Sequence, residues 1–148
     1  MLLDHNLACR EPLLHTLEKL SNDKFVDNLG VGRGSIRNIL THLMNTERYW
    51  ISVLNGIDFE SIEPESLSDI QSVREVWSEI NKETTNFISN LSERQLHHVK
   101  SIVLGNQTVS FTIAKALIHM ANHETHHRGL LTGLIRLNGL DPPDFNMI

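Results

Sequence analysis

Apolar side chains recur at alternating spacings of three and four residues in four segments of the chain, which is the period of an amphipathic α-helix. The predicted helices span residues 2–20, 35–55, 68–91 and 110–138. Four helices of about 20 residues joined by loops predict an all-α fold, a four-helix bundle. The most regular of them, the third, has its inward positions at Ile70, Val73, Trp77, Ile80, Thr84, Phe87 and Leu91.

Capping residues and helix breakers mark the ends of these segments. Ser35 is a favourable N-cap for the second helix, and SDIQ, which begins at Ser68, fits a capping box at the start of the third. The glycines of GVGRG, residues 30–34, predict a loop, whereas Pro12 predicts a kink or a late start in the first helix. Gly139, followed by two prolines, is a stop signal for the fourth helix.

The segment before the fourth helix follows a different pattern. Between Val99 and Phe111, β-branched residues lie on both sides of a Gly-Asn pair. This pattern predicts either a short β-hairpin or a long loop.

Length and composition are those of a single globular domain, expected to span residues 1–148. Apolar residues make up 40% of the chain and charged residues 21%. The net charge is −5, and the lysines and arginines are scattered. Nucleic-acid binding is therefore not expected, because such proteins present a basic face.

Cysteine content and hydropathy limit the compartment. The single cysteine, Cys9, has no second cysteine with which to form a disulfide within the chain. No apolar run approaches the roughly 20 residues that span a bilayer. We expect a cytoplasmic protein that does not bind membranes.

Four histidines fall within nine residues of the fourth predicted helix, in the block HMANHETHHRG, residues 119–129. On the helical period, His123 and His127 continue one apolar seam, while His119 and His126 lie on the adjacent stripe. Two imidazoles spaced by four residues on one face can chelate one metal ion. A hydrogen-bonded core histidine is the simpler interpretation for one such residue, but two neighbouring rings cannot both satisfy their nitrogens among aliphatic side chains.

A catalytic metal site usually has three protein ligands and one open position. His42 is the best third candidate, because it lies in the middle of the second helix next to apolar residues and would meet the histidine pair if the second and fourth helices are neighbours. His119 or His126 as a fourth ligand would instead indicate a closed, structural shell. The remaining histidines lie near a terminus or a loop and are expected to be solvated: His5, His15, His97 and His98.

The block also contains HETHH, residues 123–127, which matches the H-E-x-x-H motif of zinc proteases with Glu124 as general base. No His or Glu follows His127 to complete that ligand set, and Leu130 stands where the extended motif has glycine. The chain also lacks the strands expected beside such a helix. The protease hypothesis is therefore disfavoured, and Glu124 is expected to face solvent or the edge of a pocket.

These motifs together resemble the DinB family of small four-helix metal-binding proteins. The features that carry the resemblance are a helix start at Gly34-Ser35, the histidine in ILTHLMNTERYW, and HMANHETHHRG followed by LxxLIRLNGLDPP. The resemblance covers nearly the whole chain. Related proteins are the bacillithiol S-transferases and the mycothiol-dependent maleylpyruvate isomerases.

The resemblance implies that His42, His123 and His127 bind one divalent metal ion, zinc or nickel, in agreement with the helical spacing. It also implies a homodimeric assembly and a small-molecule substrate, with a low-molecular-weight thiol as one candidate. We therefore expect a metal-dependent enzyme, either a thiol S-transferase or a hydrolase of a small substrate. The alternatives are a non-catalytic metal-binding stress-response protein and a helical interaction module without a metal.

Further residues are candidates for roles around the metal. Arg128 would bind a substrate carboxylate or pair with an acidic neighbour, and Trp50 and Tyr49 would form a pocket wall or pack in the core. His126 and Glu124 are candidates for proton transfer. Glu47 would orient a ligand, although a solvated position is the favoured expectation, and Cys9 is expected to act only as a small buried side chain.

Overall fold

The computed structural model describes residues 2–30 and 32–147. Val31 of the predicted glycine-rich loop, and Met1 and Ile148 at the two ends of the predicted domain, lie outside the described residues. The fold is mostly helical with a small two-stranded antiparallel sheet. The elements in chain order are α1 (Leu2–Leu17), α2 (Asn22–Val26), α3 (Ile36–Asn55), a 3₁₀ turn (Pro64–Ser66), α4 (Ile70–Ser89), α5 (Glu93–Leu96), β1 (Val99–Leu104), β2 (Gln107–Thr112) and α6 (Ile113–Leu137).

The four long helices correspond to the four predicted segments and pack against one another. Helix α3 contacts both α4 and α6, and α1 contacts the same two helices. An all-α four-helix bundle is nevertheless an incomplete description, because the described residues also form two short helices and the β-strands. The prediction missed α2 and α5, which have only five and four residues. Segments this short do not develop a helical period.

Helix α3 carries one of the site residues, and both of its predicted ends are confirmed. The Ser35 side chain accepts a hydrogen bond from the Asn38 backbone N–H at 3.1 Å. At the other end, Gly56 is the C-cap with φ of +70°, a left-handed conformation in which glycine carries no steric cost.

The first helix is shorter than predicted. It begins at Leu2, continues through Pro12 and ends at Leu17, so the alternative of a late start is wrong.

The third predicted helix begins one residue later than expected. Asp69, not Ser68, is the N-cap of α4, and it forms a reciprocal capping box with Ser72. Both DIQS and SDIQ place a capping residue three positions before a polar side chain. Only the backbone geometry distinguishes the two registers.

Of the two alternatives for the segment before the last helix, the structure has the hairpin. Strand β1 pairs antiparallel with β2, with Lys100 opposite Phe111 and Ile102 opposite Val109. Phe111 is buried against the core, and Thr112 ends β2 and caps α6 by accepting from the Lys115 N–H. Because the strand runs directly into the helix, α6 begins at Ile113 and not near residue 110.

Within the described part of the chain, none of the helices combines the length and the hydropathy needed to cross a membrane.

Candidate metal centre

Three histidines from two helices meet at one end of the α3–α6 contact. His42 comes from the middle of α3, and His123 and His127 from successive turns of α6. Their ring centroids are 4.7 Å apart for His42 and His123, 4.8 Å for His42 and His127, and 4.5 Å for His123 and His127. One ring nitrogen from each lies within 4.8 Å of the other two. The spacing argument thus brought together the same three side chains that meet in the structure.

Two hydrogen-bond contacts converge on one ring nitrogen of His42. Nε2 of His42 lies 2.9 Å from Nε2 of His123 and 3.3 Å from Nη2 of Arg33. Because arginine only donates, His42 Nε2 acts as the acceptor. Nδ1 of His127 is buried and has no hydrogen-bond partner among the described residues. An unpartnered buried nitrogen is costly in a folded protein and is satisfied when an ion or water binds it.

The environment favours the neutral form of these imidazoles. Burial, together with the charge of Arg33 and contact with His127, lowers the pKa of His42 from 6.5 to about 4. Burial and the neighbouring histidines lower the pKa of His123 to about 4 as well. Burial, His126 and Arg33 also lower the pKa of His127. Neutral imidazole is the form that coordinates a metal, so the cluster is ready to bind an ion at neutral pH.

These shifts predict that His42 and His123 of the metal-free protein stay uncharged at pH 5.5, since each takes up its proton only near its lowered pKa of about 4. The measurement is an NMR titration of the imidazole Cε1–H resonances, assigned with His42→Gln and His123→Gln. The same protein in urea is the control, because unfolded histidines titrate near 6.5. Midpoints near 6.5 in the folded protein would contradict the burial that the structure gives these rings.

The donor set fits a divalent ion. Imidazole nitrogens suit both zinc and nickel, and three ligands from helices leave coordination positions open. The orphaned Nδ1 of His127 is an independent sign that the cluster is incomplete without a further atom. Among the described residues, His42, His123 and His127 form the one group of this kind.

The position of the histidines on α6 differs from the predicted seam. Met120 and Leu134 are buried, but His123 and His127 are half-buried, at the rim of the helix–helix contact. The buried stripe of α6 passes one residue further along and includes Glu124, which is 7% exposed. The expectation that Glu124 faces solvent or a pocket edge is therefore wrong. The shift leaves the histidines accessible from solvent, as a binding site requires.

Glu124 belongs to a buried ion network that lies beneath the histidines. Arg10 of α1 donates from Nε to Oε1 of Glu124 at 3.1 Å and from Nη2 to Oε2 at 2.6 Å. Nη2 of Arg10 also lies 2.9 Å from Oε2 of Glu47 on α3. The indole N–H of Trp77 and the hydroxyl of Thr84, both on α4, donate to Glu47 at 3.0 and 2.7 Å. The favoured expectation of a solvated Glu47 is wrong, because Glu47 is 6% exposed.

Arg128 extends this network and does not face the histidine cluster. It is buried, donates from Nη1 to Oδ1 of Asn6 at 3.0 Å, and lies 3.6 Å from Glu124. Its guanidinium also lies 5.3 Å from the ring centre of Phe145. Of the two predicted roles, the structure has the pairing with an acidic neighbour.

A small cavity of about 10 Å³ is lined by residues of the network and by His123. That volume holds about one water molecule. Its lining includes His123, Glu47 and Glu124 on the polar side and Leu43 and Met120 on the apolar side. No substrate fits on this inner side, so a ligand of the histidine cluster approaches from solvent.

The other predicted site residues lie around the cluster. Trp50 is half-buried between Phe111 and His119, with ring centroids 5.2 and 5.3 Å away, and Tyr49 lies against Trp50 and Phe59. His126 is exposed, with its ring 5.0 Å from that of His127. Among the remaining histidines, the structure exposes His15, His97 and His98 as expected and half-buries His5.

Sequence reasoning missed Arg33, whose guanidinium contacts His42. A basic residue in the glycine-rich loop just before the helix that carries His42 was the available signal. The sequence also contained a signal for Arg10, which continues the apolar series Leu3, Leu7, Leu14 and Leu17 at helical spacing.

The sequence model of the DinB family matches residues 1–148. The chain belongs to the DinB family. A relative named protein DinB, from Bacillus subtilis (strain 168), is 23% identical over 163 residues, which covers 99% of this chain and 90% of that protein.

Solved structures of DinB-like proteins share the fold. A DinB-like protein from Bacillus cereus ATCC 10987 superposes with a TM-score of 0.71 at 18% identity, covering 97% of this chain and 94% of that one. A DinB-like protein from Bacillus subtilis gives 0.71 at 18% identity with 99% of each chain covered. A conserved protein from Enterococcus faecalis gives 0.69 at 17% identity, covering 90% and 92%. At these identities the likeness concerns the fold alone.

The geometry counts against the zinc-protease hypothesis for HETHH. The glutamate that would act as base, Glu124, has both carboxylate oxygens bound by Arg10. The third histidine of the DinB cluster comes from α3, not from a position after His127.

Proposed function

We propose that the protein is a metal-dependent enzyme acting on a small-molecule substrate, with one zinc or nickel ion held by His42, His123 and His127. The observation that supports this most is the convergence of three neutral imidazoles, one with an orphaned buried nitrogen, on the solvent side of a packed helical core. When bound, such an ion lowers the pKa of a coordinated water or thiol and so supplies a nucleophile at neutral pH.

Within this proposal, transfer of a low-molecular-weight thiol to an electrophile is favoured over hydrolysis of a small substrate, because the chain resembles the family of thiol S-transferases. The protein's own thiol does not compete for the role of nucleophile. Cys9 is buried, its Sγ lies 3.4 Å from His5 Nε2, and burial raises the pKa of the thiol. A buried thiol with a raised pKa is a poor nucleophile, so the reacting sulfur belongs to the substrate.

The structure also bears on the alternative, a non-catalytic protein with a structural metal. A structural zinc site has a closed shell of four protein ligands. His119 and His126 are both exposed and lie outside the three-histidine group. The three-ligand arrangement therefore supports a site with an open position for substrate.

The proposal predicts metal-dependent thiol transfer. Protein loaded with zinc or nickel is expected to accelerate the reaction of a low-molecular-weight thiol with a fluorogenic bimane electrophile above the background rate. Treatment with EDTA and the substitution His42→Ala should both remove the acceleration, and restoring the metal should rescue only the wild type. The control is His97→Ala, an exposed histidine outside the cluster, which should leave the rate unchanged. A rate unaffected by EDTA and by His42→Ala would contradict the proposal.

A further inference from the structure

The loop between α2 and α3 brings a cation to the histidine cluster. Gly32 has φ of +58° and lies so close to α6 that an added Cβ would be 2.5 Å from Leu130 Cδ2. The next residue, Arg33, is tied to α3 by the Asn38 side chain, which donates to the Arg33 carbonyl at 3.1 Å. The loop therefore contacts both α3 and α6, the helices that carry the histidines. The Arg33 guanidinium lies 3.3 Å from His42 Nε2.

Arg33 has no carboxylate partner within residues 2–30 and 32–147. Its side chain is exposed and contacts His42, an uncharged acceptor. In contrast, Arg37 pairs with Glu65, and Arg10 and Arg128 pair with buried glutamates. Arg33 differs from the other arginines without an ion pair among the described residues in its contact with His42. A guanidinium has five donor hydrogens in a planar fork that matches a carboxylate, and most of those on Arg33 remain available.

The charges around the site indicate which ligand Arg33 would bind. The network beneath the site is neutral, since it contains two arginines, Arg10 and Arg128, and two glutamates, Glu47 and Glu124. The three imidazoles are uncharged near neutral pH. A divalent ion beside Arg33 would thus make the site positive, since the charged groups that act on the three rings include Arg33 and no carboxylate. Such a site attracts an anionic ligand.

The contact between Arg33 and His42 also indicates when the cation becomes available. The single lone pair of His42 Nε2 accepts a hydrogen bond or coordinates an ion, but not both. If His42 held an ion through Nε2, that nitrogen would no longer accept from Arg33, whose backbone would still be held beside the cluster by Asn38. Because the inner cavity has room for about one water only, a ligand from solvent meets the ion and Arg33 on the same outer side.

We propose that Arg33 is the specificity-determining residue of the site and binds the carboxylate of an anionic substrate, most simply a thiol that also carries a carboxylate. This inference rests on the proposed function, because it places the substrate's sulfur at the ion held by the histidines. Arg33 thus takes the carboxylate-binding role that the sequence suggested for Arg128.

The test uses three small thiols that differ in charge: thioglycolate, 2-mercaptoethanol and cysteamine. The full-length protein is loaded with cobalt(II), and each thiol is titrated while the sulfur-to-cobalt charge-transfer absorbance is followed. In Arg33→Gln, the dissociation constant for thioglycolate should rise about tenfold, as expected for the loss of a charge-assisted hydrogen bond. The constant for 2-mercaptoethanol should change little, and that for cysteamine should fall.

Two variants control for net charge and geometry. Arg37→Gln removes an equal charge from an arginine that already has a partner in Glu65, and it should behave as wild type. Arg33→Lys keeps the charge without the bidentate fork and should retain part of the preference for thioglycolate. If Arg33→Gln binds thioglycolate and 2-mercaptoethanol with the same ratio of affinities as the wild type, the role of Arg33 is overturned. The proposed function is not affected by that result. Failure of the wild type to bind cobalt would overturn the proposed function, and this inference with it.

Discussion

Replacing Arg10 by methionine is expected to lower the free energy of unfolding by about 3–5 kcal/mol, as measured by urea denaturation of the metal-free protein. Arg10 is 6% exposed and is the cation that lies between Glu47 and Glu124. Methionine fills much of the same volume but leaves two buried carboxylates with one nearby cation, Arg128, which lies 3.6 Å from Glu124. The cost arises from these stranded anions more than from the lost attraction.

The chain contains a matched control at its surface. Arg74 also bridges two carboxylates, those of Glu11 and Glu18, whose side chains are 67% and 37% exposed to solvent. Arg74→Met should therefore destabilise the protein far less than Arg10→Met, because water and ions screen exposed ion pairs. Similar effects of the two substitutions would show that the Arg10 network is not desolvated as the structure has it.

A double substitution separates the loss of the arginine from a general disturbance of packing. Arg10→Met combined with Glu47→Gln removes the cation and the anion that is stranded by its loss, while Glu124 keeps Arg128 as its partner. It should be more stable than Arg10→Met alone, since one buried charge no longer lacks a partner. If stability falls further instead, packing around the arginine stem, including its contact with the Trp77 ring at 4.6 Å, is the larger contribution.

His123→Ala is expected to reduce metal binding from about one ion per chain to near zero after gel filtration. His123 is in ring contact with both other histidines of the cluster. Changing a residue that only supports a ligand already weakens metal binding about 10–100-fold, and loss of a ligand should exceed that. Plasma mass spectrometry on protein purified without a histidine tag, and supplied with zinc or nickel, measures the content.

Two further variants make the outcome decisive. His97→Ala should bind metal as the wild type does, because His97 is exposed and outside the cluster. His126→Ala should also keep the metal; if it loses the ion as His123→Ala does, the shell has a fourth protein ligand and the site is structural. No uptake of zinc or nickel by the wild type would end the enzyme hypothesis.

The four long helices were predictable because each buries one apolar stripe, and that stripe leaves a period in the sequence. The boundary of α3 was predictable for a local reason as well, since Ser35 caps backbone groups only three residues away. The start of α6 was not. The strand before it is stabilised by pairing with β1, and Thr112 serves both elements.

The three histidines were also within reach of the sequence. A spacing of four places His123 and His127 on one helical face whatever surrounds it. His42 required one further assumption, that the second and fourth predicted helices are neighbours. These helices are α3 and α6, which are in contact. The assignment of these residues as metal ligands remains a prediction.

The burial of charged side chains could not be predicted from the helical pattern of the sequence. Arg10, Glu47 and Glu124 each continue an apolar series on their own helix, yet from the sequence Glu47 and Glu124 were expected near solvent. A buried charge needs partners, and Arg10 finds its partners on other helices, 37 residues away at Glu47 and 114 residues away at Glu124.

The sequence by itself thus determined the properties that depend on near neighbours: the helical periods, the N-cap at Ser35 and the pairing of His123 with His127 on one face. The tertiary structure alone decided the properties that depend on what lies opposite. It buried Glu47 and Glu124 around Arg10, turned Arg128 into the network and brought Arg33 to the histidines. The physical reason is that helical periodicity is a local property of the backbone, whereas desolvation and charge pairing depend on every side chain that surrounds a group.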